Sequence, residues 1–214
     1  MQRHVRCRLR IDDEQGGLVR AKHDEGAALV VVLLVSALLF TVGLSVVLVA
    51  DVDTLISGSY RDGVIARYAA EAVGDAMVTE LAAVDDWTPI LAGATSAFWG
   101  SSASAGTVVD AASVTAALQQ QTYGGTPWGA NTPRWRLFGR GDPGHDLFTG
   151  GAPGSFALVW VSDDVAETDG DPLADENDTV AVYVRVWGPG RARADAQRVI
   201  RRVEPGVVRL VSTS

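Results

Sequence analysis

The chain has 214 residues, of which 47% are hydrophobic, and a formal net charge of -8; its mean hydropathy of +0.14 means that apolar residues are concentrated somewhere. From residue 27 onward there are 12 Arg, no Lys and 21 Asp or Glu, a net of -9, which excludes a nucleic-acid surface, because neutralising phosphates needs a basic face. The single cysteine, Cys7, excludes an internal disulfide, so stability must come from packing or a bound ion.

The chain opens with a charged stretch, residues 1–26, carrying Arg3, Arg6, Arg8, Arg10, Arg20 and Lys22. Ala27 to Ala50 then runs for 24 residues without a charge. At about 1.5 Å per residue this makes a helix of roughly 36 Å, enough for a hydrocarbon core of about 30 Å. The run is too long for the apolar region of a cleaved secretory signal, which spans about 7 to 15 residues. Basic residues before the span, with Asp51 and Asp53 directly after it, predict a single-pass topology with a cytoplasmic N-terminus and a C-terminal part facing the periplasm or the outside.

Residues 51–86 continue the helical pattern. Apolar residues recur at Ile56, Tyr60, Val64 and Tyr68, and on a neighbouring stripe at Ile65, Ala69, Val73, Met77 and Leu81, which predicts an amphipathic continuation to about Val84, stopped at the latest by Pro89. Gly58, Gly63 and Gly74 weaken it locally. Residues 87–214 form the exported domain. Its first part, to about Gly154, is rich in Gly, Ser, Ala and Thr, with Trp87, Trp99, Trp128 and Trp135 as anchors and a short helix expected from Val108 to Gln121. Strands are expected at Ser155–Val161 and Val180–Trp187, with one or two more in Arg198–Val211 and a turn at Gly188-Pro189-Gly190. Arg185, Arg193, Arg198, Arg201 and Arg202 are expected to face solvent on or beside an edge strand.

Gly26 followed by AALVVVLLVSALLF, behind a charged leader ending His23-Asp24-Glu25, resembles the cleavage and assembly region of type IV prepilins. The stretch onward through Gly43-Leu44, Ser57-Gly58-Ser59-Tyr60-Arg61-Asp62 and Ala69-Ala70-Glu71-Ala72 resembles the N-terminal region of PilX-type minor pilins, over about 60 residues. The resemblance implies an α+β, pilin-like fold: a long helix, half transmembrane and half amphipathic, packed on a small antiparallel sheet. It implies cutting by prepilin peptidase after Gly26, N-methylation of Ala27, and an assembly helix that includes Leu29, Val31, Leu34, Leu38 and Gly43. The implied partners are other minor and major pilins and the pilus assembly machinery, with the inner membrane as residence before assembly and the pilus after it.

Many pilins carry Glu at the fifth mature position, where this chain has Val31; a buried carboxylate is tolerated only when paired, so a register device is missing. By resemblance this suits a minor or priming subunit. Pseudopilins capping the type II secretion tip also lack that Glu, and a type II pseudopilin is the alternative. A third reading is an unprocessed single-pass protein whose exported domain binds calcium.

Asp163 to Asp178 holds eight carboxylates among sixteen residues. Calcium takes six to eight oxygens, and Asp169, Asp171, Asp175, Asn177 and Asp178 are spaced to supply them around Gly170 and Pro172; a solvated acidic loop is the competing reading. Gly139-Arg140-Gly141-Asp142-Pro143-Gly144 fits a G-x-G-x-x-G pattern but reads as a surface turn, not as the strand-to-helix context a dinucleotide site needs. His145 is the only histidine beyond the leader, which excludes a histidine metal cluster, and no nucleophile elbow flanks it. The chain is expected not to be an enzyme.

Overall fold

The computed structural model describes residues 16–97, 109–123, 132–142, 155–167 and 169–213, with backbone only for 16–25. They fall into two compact units, one through Ile56 and one from Ser57 to Ser214.

In the first unit the chain is helical from Gly16, as part of helix α1 (Gly16–Ala82). Every residue from Gly26 to Ile56 is exposed. Three hydroxyls in this stretch turn back on the helix: Thr41 Oγ1 donates to Leu38 O, Ser45 Oγ to Thr41 O and Thr54 Oγ1 to Ala50 O, at 2.8, 2.8 and 2.9 Å. These three hydroxyls are satisfied within the helix, as an apolar surrounding demands.

The second unit is built on a five-stranded antiparallel meander. Its strands are β1 (Arg136–Gly141), β2 (Phe156–Asp163), β3 (Thr179–Trp187), β4 (Arg193–Glu204) and β5 (Val207–Thr213), each paired with the next in sequence. Alternation along a strand sends successive side chains to opposite faces. Ala157, Val159 and Val161 of β2 join Val180, Val182, Val184 and Val186 of β3 and Ile200 of β4 on one face, where Ala70, Val73, Met77 and Leu81 of α1 pack. Phe156, Leu158 and Trp160 face the other way and meet Trp135 and Leu118, the latter from helix α3 (Ala111–Tyr123). Because both faces of β2 are covered, all eight of its residues are buried, and it reads as a continuous apolar run. A short helix α2 (Thr88–Leu91), started by Pro89, adds Ile90 and Leu91 to the first core.

The links between strands follow local chemistry. The β3–β4 turn uses Gly190 at φ +61°, where a side chain would strike the Asp62 carboxylate, and sets Gly188 so near α1 that an added methyl would lie 3.0 Å from Ala66 Cβ. Gly206, at φ +76°, closes the β4–β5 hairpin behind Pro205.

Several expectations need correction. The exposed arginine row does not form: β4 is an interior strand, and Arg198 and Arg202 turn inward, their side chains only 13% and 12% exposed. Arg198 pairs with Asp75 and donates to Glu71 O at 3.1 Å, tying β4 to α1. Arg185, on central β3, is buried and holds both carboxylate oxygens of Asp195, at 2.7 and 3.2 Å. Only Arg193 and Arg201 stay exposed. The first predicted helical stripe is not a core stripe either, since Tyr60 and Tyr68 are 74% and 68% exposed. Ala66 and Ala70 take the buried positions, because small side chains let the helix approach the sheet and the β3–β4 turn. Gly139-Arg140-Gly141 lies in strand β1, not in a surface turn; the ladder to Val159, Leu158 and Ala157 overrides the glycines' preference for turns. The helix expected at Val108–Gln121 forms at Ala111–Tyr123. His145, Trp99, Trp128, Pro143 and Gly144 lie outside the described residues.

Candidate functional sites

Two features stand out beyond ordinary packing. The first is the apolar helix. From Leu29 to Val49 its large side chains are half or more exposed on every side, so no polar face exists on which it could rest in water. Leu29, Val31, Leu34 and Leu38 are all on this exposed surface, and added methyls at Gly26 and Gly43 would meet nothing within 4 Å. Ala27 is likewise exposed. This is one helix long and apolar enough to cross a membrane, as a span or as a signal anchor.

The second is the acidic connection between β2 and β3. Asp163 occupies the last position of β2 and shares the inward parity of Ala157, Val159 and Val161, so the strand carries a carboxylate into the face that elsewhere is core. It is 1% exposed. Its Oδ1 accepts the Asp164 N–H at 2.8 Å, while its Oδ2 is buried and, among the described residues, receives no donor other than what it can share with Glu167. Glu167, 7% exposed, accepts the Glu176 N–H through Oε1 at 2.6 Å and leaves Oε2 buried with no partner. Asp175 accepts the Thr179 N–H at 3.2 Å. Carboxylate oxygens of Asp163, Glu167 and Asp175 lie within 4.8 Å of one another, as do those of Glu167, Asp169 and Glu176.

Electrostatics follow from that crowding. Burial, reinforced by the hydrogen bond and charge of Glu167, pushes the Asp163 carboxyl up to about 8. Asp175 is pushed up to about 6, first by burial and then by the charges of Glu167 and Asp178. These acidic residues could hold a metal ion.

The five residues expected to bind calcium do not converge. Asp169 and Asp171 are exposed and use Oδ1 to accept the N–H of Asp171 and Leu173, each at 3.0 Å, as turn formers. Asn177 donates to Asp164 Oδ1 at 2.7 Å, and Asp178, at φ 57°, pairs with Arg202 at 2.9 Å. Of the five, Asp175 joins the inner group and Asp169 the outer one. Sequence reasoning missed Asp163 and Glu167. Extending the period-two pattern of β2 by one residue finds Asp163, because it follows Val161 on the same face; nothing local marks Glu167. Comparison with known protein families, curated proteins and solved structures finds no match to this chain.

Proposed function

We propose that the chain is a minor pilin that takes part in type IV pilus assembly or priming, cut by prepilin peptidase after Gly26 and held until assembly in the inner membrane by residues 27–50, with its C-terminal domain in the periplasm. The observation that supports this most is an apolar helix surface with no polar side, on a chain whose other compact unit is an α+β domain with an antiparallel sheet. Lipid satisfies such a surface before assembly; once the helix leaves the bilayer, only other apolar helices can. Burying one Leu or Val side chain is worth about 1.5 to 3 kcal/mol, so 24 uncharged residues supply ample drive for packing against other pilins in a filament core.

The N-terminal mass of the protein recovered from membranes and from sheared filaments tests this reading. A chain starting at Ala27, with or without one methyl group, is expected, together with an uncleaved precursor and reduced piliation for a Gly26→Leu variant. A wild-type protein that keeps its leader overturns the reading in favour of a plain membrane anchor. Processing without any effect on pili, but with loss of type II secretion, moves the protein to that system.

We also propose calcium as the ion of the exported domain, supported by the acidic grouping and by the lack of any disulfide there.

A further inference from the structure

We infer that the calcium site is an inner one, made by Asp163, Glu167 and Asp175 at the point where β2 leaves the sheet, and not the outer stretch of Asp169, Asp171 and Asp178. The inference rests on the calcium reading and is independent of whether the chain enters a filament.

Acidic side chains gathered on a surface loop say little, because water screens them and each can point away. Here two of the three are buried, and each brings one oxygen that, among the described residues, no other group donates to: Asp163 Oδ2 and Glu167 Oε2. A buried acceptor without a donor costs about 1–3 kcal/mol, more when charged. Two in one spot are retained where a cation lies between them or where they share one proton, and unfolding with and without calcium separates the two. Among the described residues no arginine offsets Asp163; the charges acting on it are those of Glu167 and Asp164. Arg202, the cation that acts on Asp175, is already committed to Asp178 and to the carbonyls of Val84 and Asp85.

The geometry admits a large hard cation. Ligand oxygens on one calcium ion lie at most about 4.6–5.2 Å apart, given bonds of about 2.3–2.6 Å, and one oxygen from each of the three carboxylates lies within 4.8 Å of the others. The second oxygens of Asp163 and Glu167 are each fixed by a backbone N–H, so both carboxylates are oriented before any ion arrives, and ordering costs little on binding. The remaining positions would be left to water. The outer residues are placed differently: Asp171 points one oxygen at its own turn, and Asp178 at Arg202.

Binding would lock the start of the β2–β3 connection to its end, since Asp163 precedes it and Asp175 bonds the first residue of β3. Calcium is thereby a staple for a domain that has no cysteine.

The test is thermal unfolding of the full chain in detergent, followed by tryptophan fluorescence at pH 7.5, in EDTA and in 1–10 mM calcium or magnesium at matched ionic strength. Wild-type protein is expected to gain about 5–10 °C with calcium and less with magnesium. Asp163→Asn and Glu167→Gln are each expected to lose that gain while unfolding in EDTA close to the wild type, because an amide can donate to the remaining carboxylate. Using both variants covers the case in which one fails to fold. A calcium gain that survives in both, but disappears in Asp169→Asn/Asp171→Asn, overturns the inner site and leaves the calcium reading standing. No gain in the wild type at 10 mM overturns both, and the pair then holds a shared proton.

Discussion

Replacing Arg202 with Met would separate the two roles this side chain plays at the end of α1. The guanidinium lies 4.2 Å from the centre of the Trp87 ring and donates to Val84 O, Asp85 O and Asp178 Oδ1. Methionine keeps an apolar stem against the indole but removes every donor. Two charge-assisted bonds to the carbonyls after the helix contribute about 1.5 kcal/mol each at the low end of their range. The contact over the ring adds about 1 kcal/mol, and the pair with exposed Asp178 adds little. Against this, the buried Nε of Arg202 has no partner, and deleting it returns about 1 kcal/mol. The net loss is about 3 kcal/mol, a fall in Tm of about 6–12 °C at roughly 2–4 °C per kcal/mol. Thermal unfolding of the full chain in detergent measures it, with Asp178→Ala, expected to cost under about 1 kcal/mol, as the control. A Tm within 2 °C of wild type for Arg202→Met, or an equal fall for Asp178→Ala, would refute the assignment of Arg202 as the tie between β4 and the end of α1.

The indole N–H of buried Trp160 donates to Thr115 Oγ1 at 2.7 Å across the interface between β2 and α3. Thr115→Val keeps the shape and removes the acceptor, so a loss of about 1–3 kcal/mol is expected; in a Thr115→Val/Trp160→Phe double variant, thermal melts should show a loss well below the sum of the two single ones. Metal-free protein should also lose stability as pH rises, the reverse of the usual carboxylate trend. Asp163 and Asp175 bind protons more tightly folded than unfolded, with folded values of about 8 and 6, so their contribution is complete below about pH 4, the unfolded value, and is withdrawn as pH climbs through 6 and then 8. Urea midpoints in EDTA at pH 5 and pH 8.5 measure this; an equal or higher midpoint at pH 8.5 contradicts it.

Much of the architecture was legible one residue at a time. The uncharged stretch from Ala27 to Ala50 announces itself by length alone, and strands β2 and β3 by short runs of branched and aromatic residues bounded by turn-forming ones. The β3–β4 and β4–β5 turns are marked by Gly-Pro-Gly and Pro-Gly. These features arise from local chemistry, so a short window contains the whole cause.

Arg198 and Arg202 show where local reading ends. Charged residues alternating on a strand look solvent-facing, and they are so on an outer face; here that face is covered by α1 and the turn after it, where Asp75 and the carbonyls of Glu71, Val84 and Asp85 accept them. Strand β1 was hidden because its glycines argue for a turn, and only pairing with β2 outweighs them. Tyr60 stays outside the core and Ala66 enters it, because the closest approach of helix and sheet selects small side chains over large ones.

The sequence by itself determined a helix that water cannot satisfy, a sheet at the C-terminal end and an acidic link between two strands, since apolar periodicity and charge density are properties of neighbours along the chain. Which carboxylates meet was decided by tertiary structure alone. Asp163, Glu167 and Asp175 are brought together by the exit of β2, the fold of the connection and the entry of β3, and burial, which makes their charges matter, exists only once α1 and α2 cover that face of the sheet.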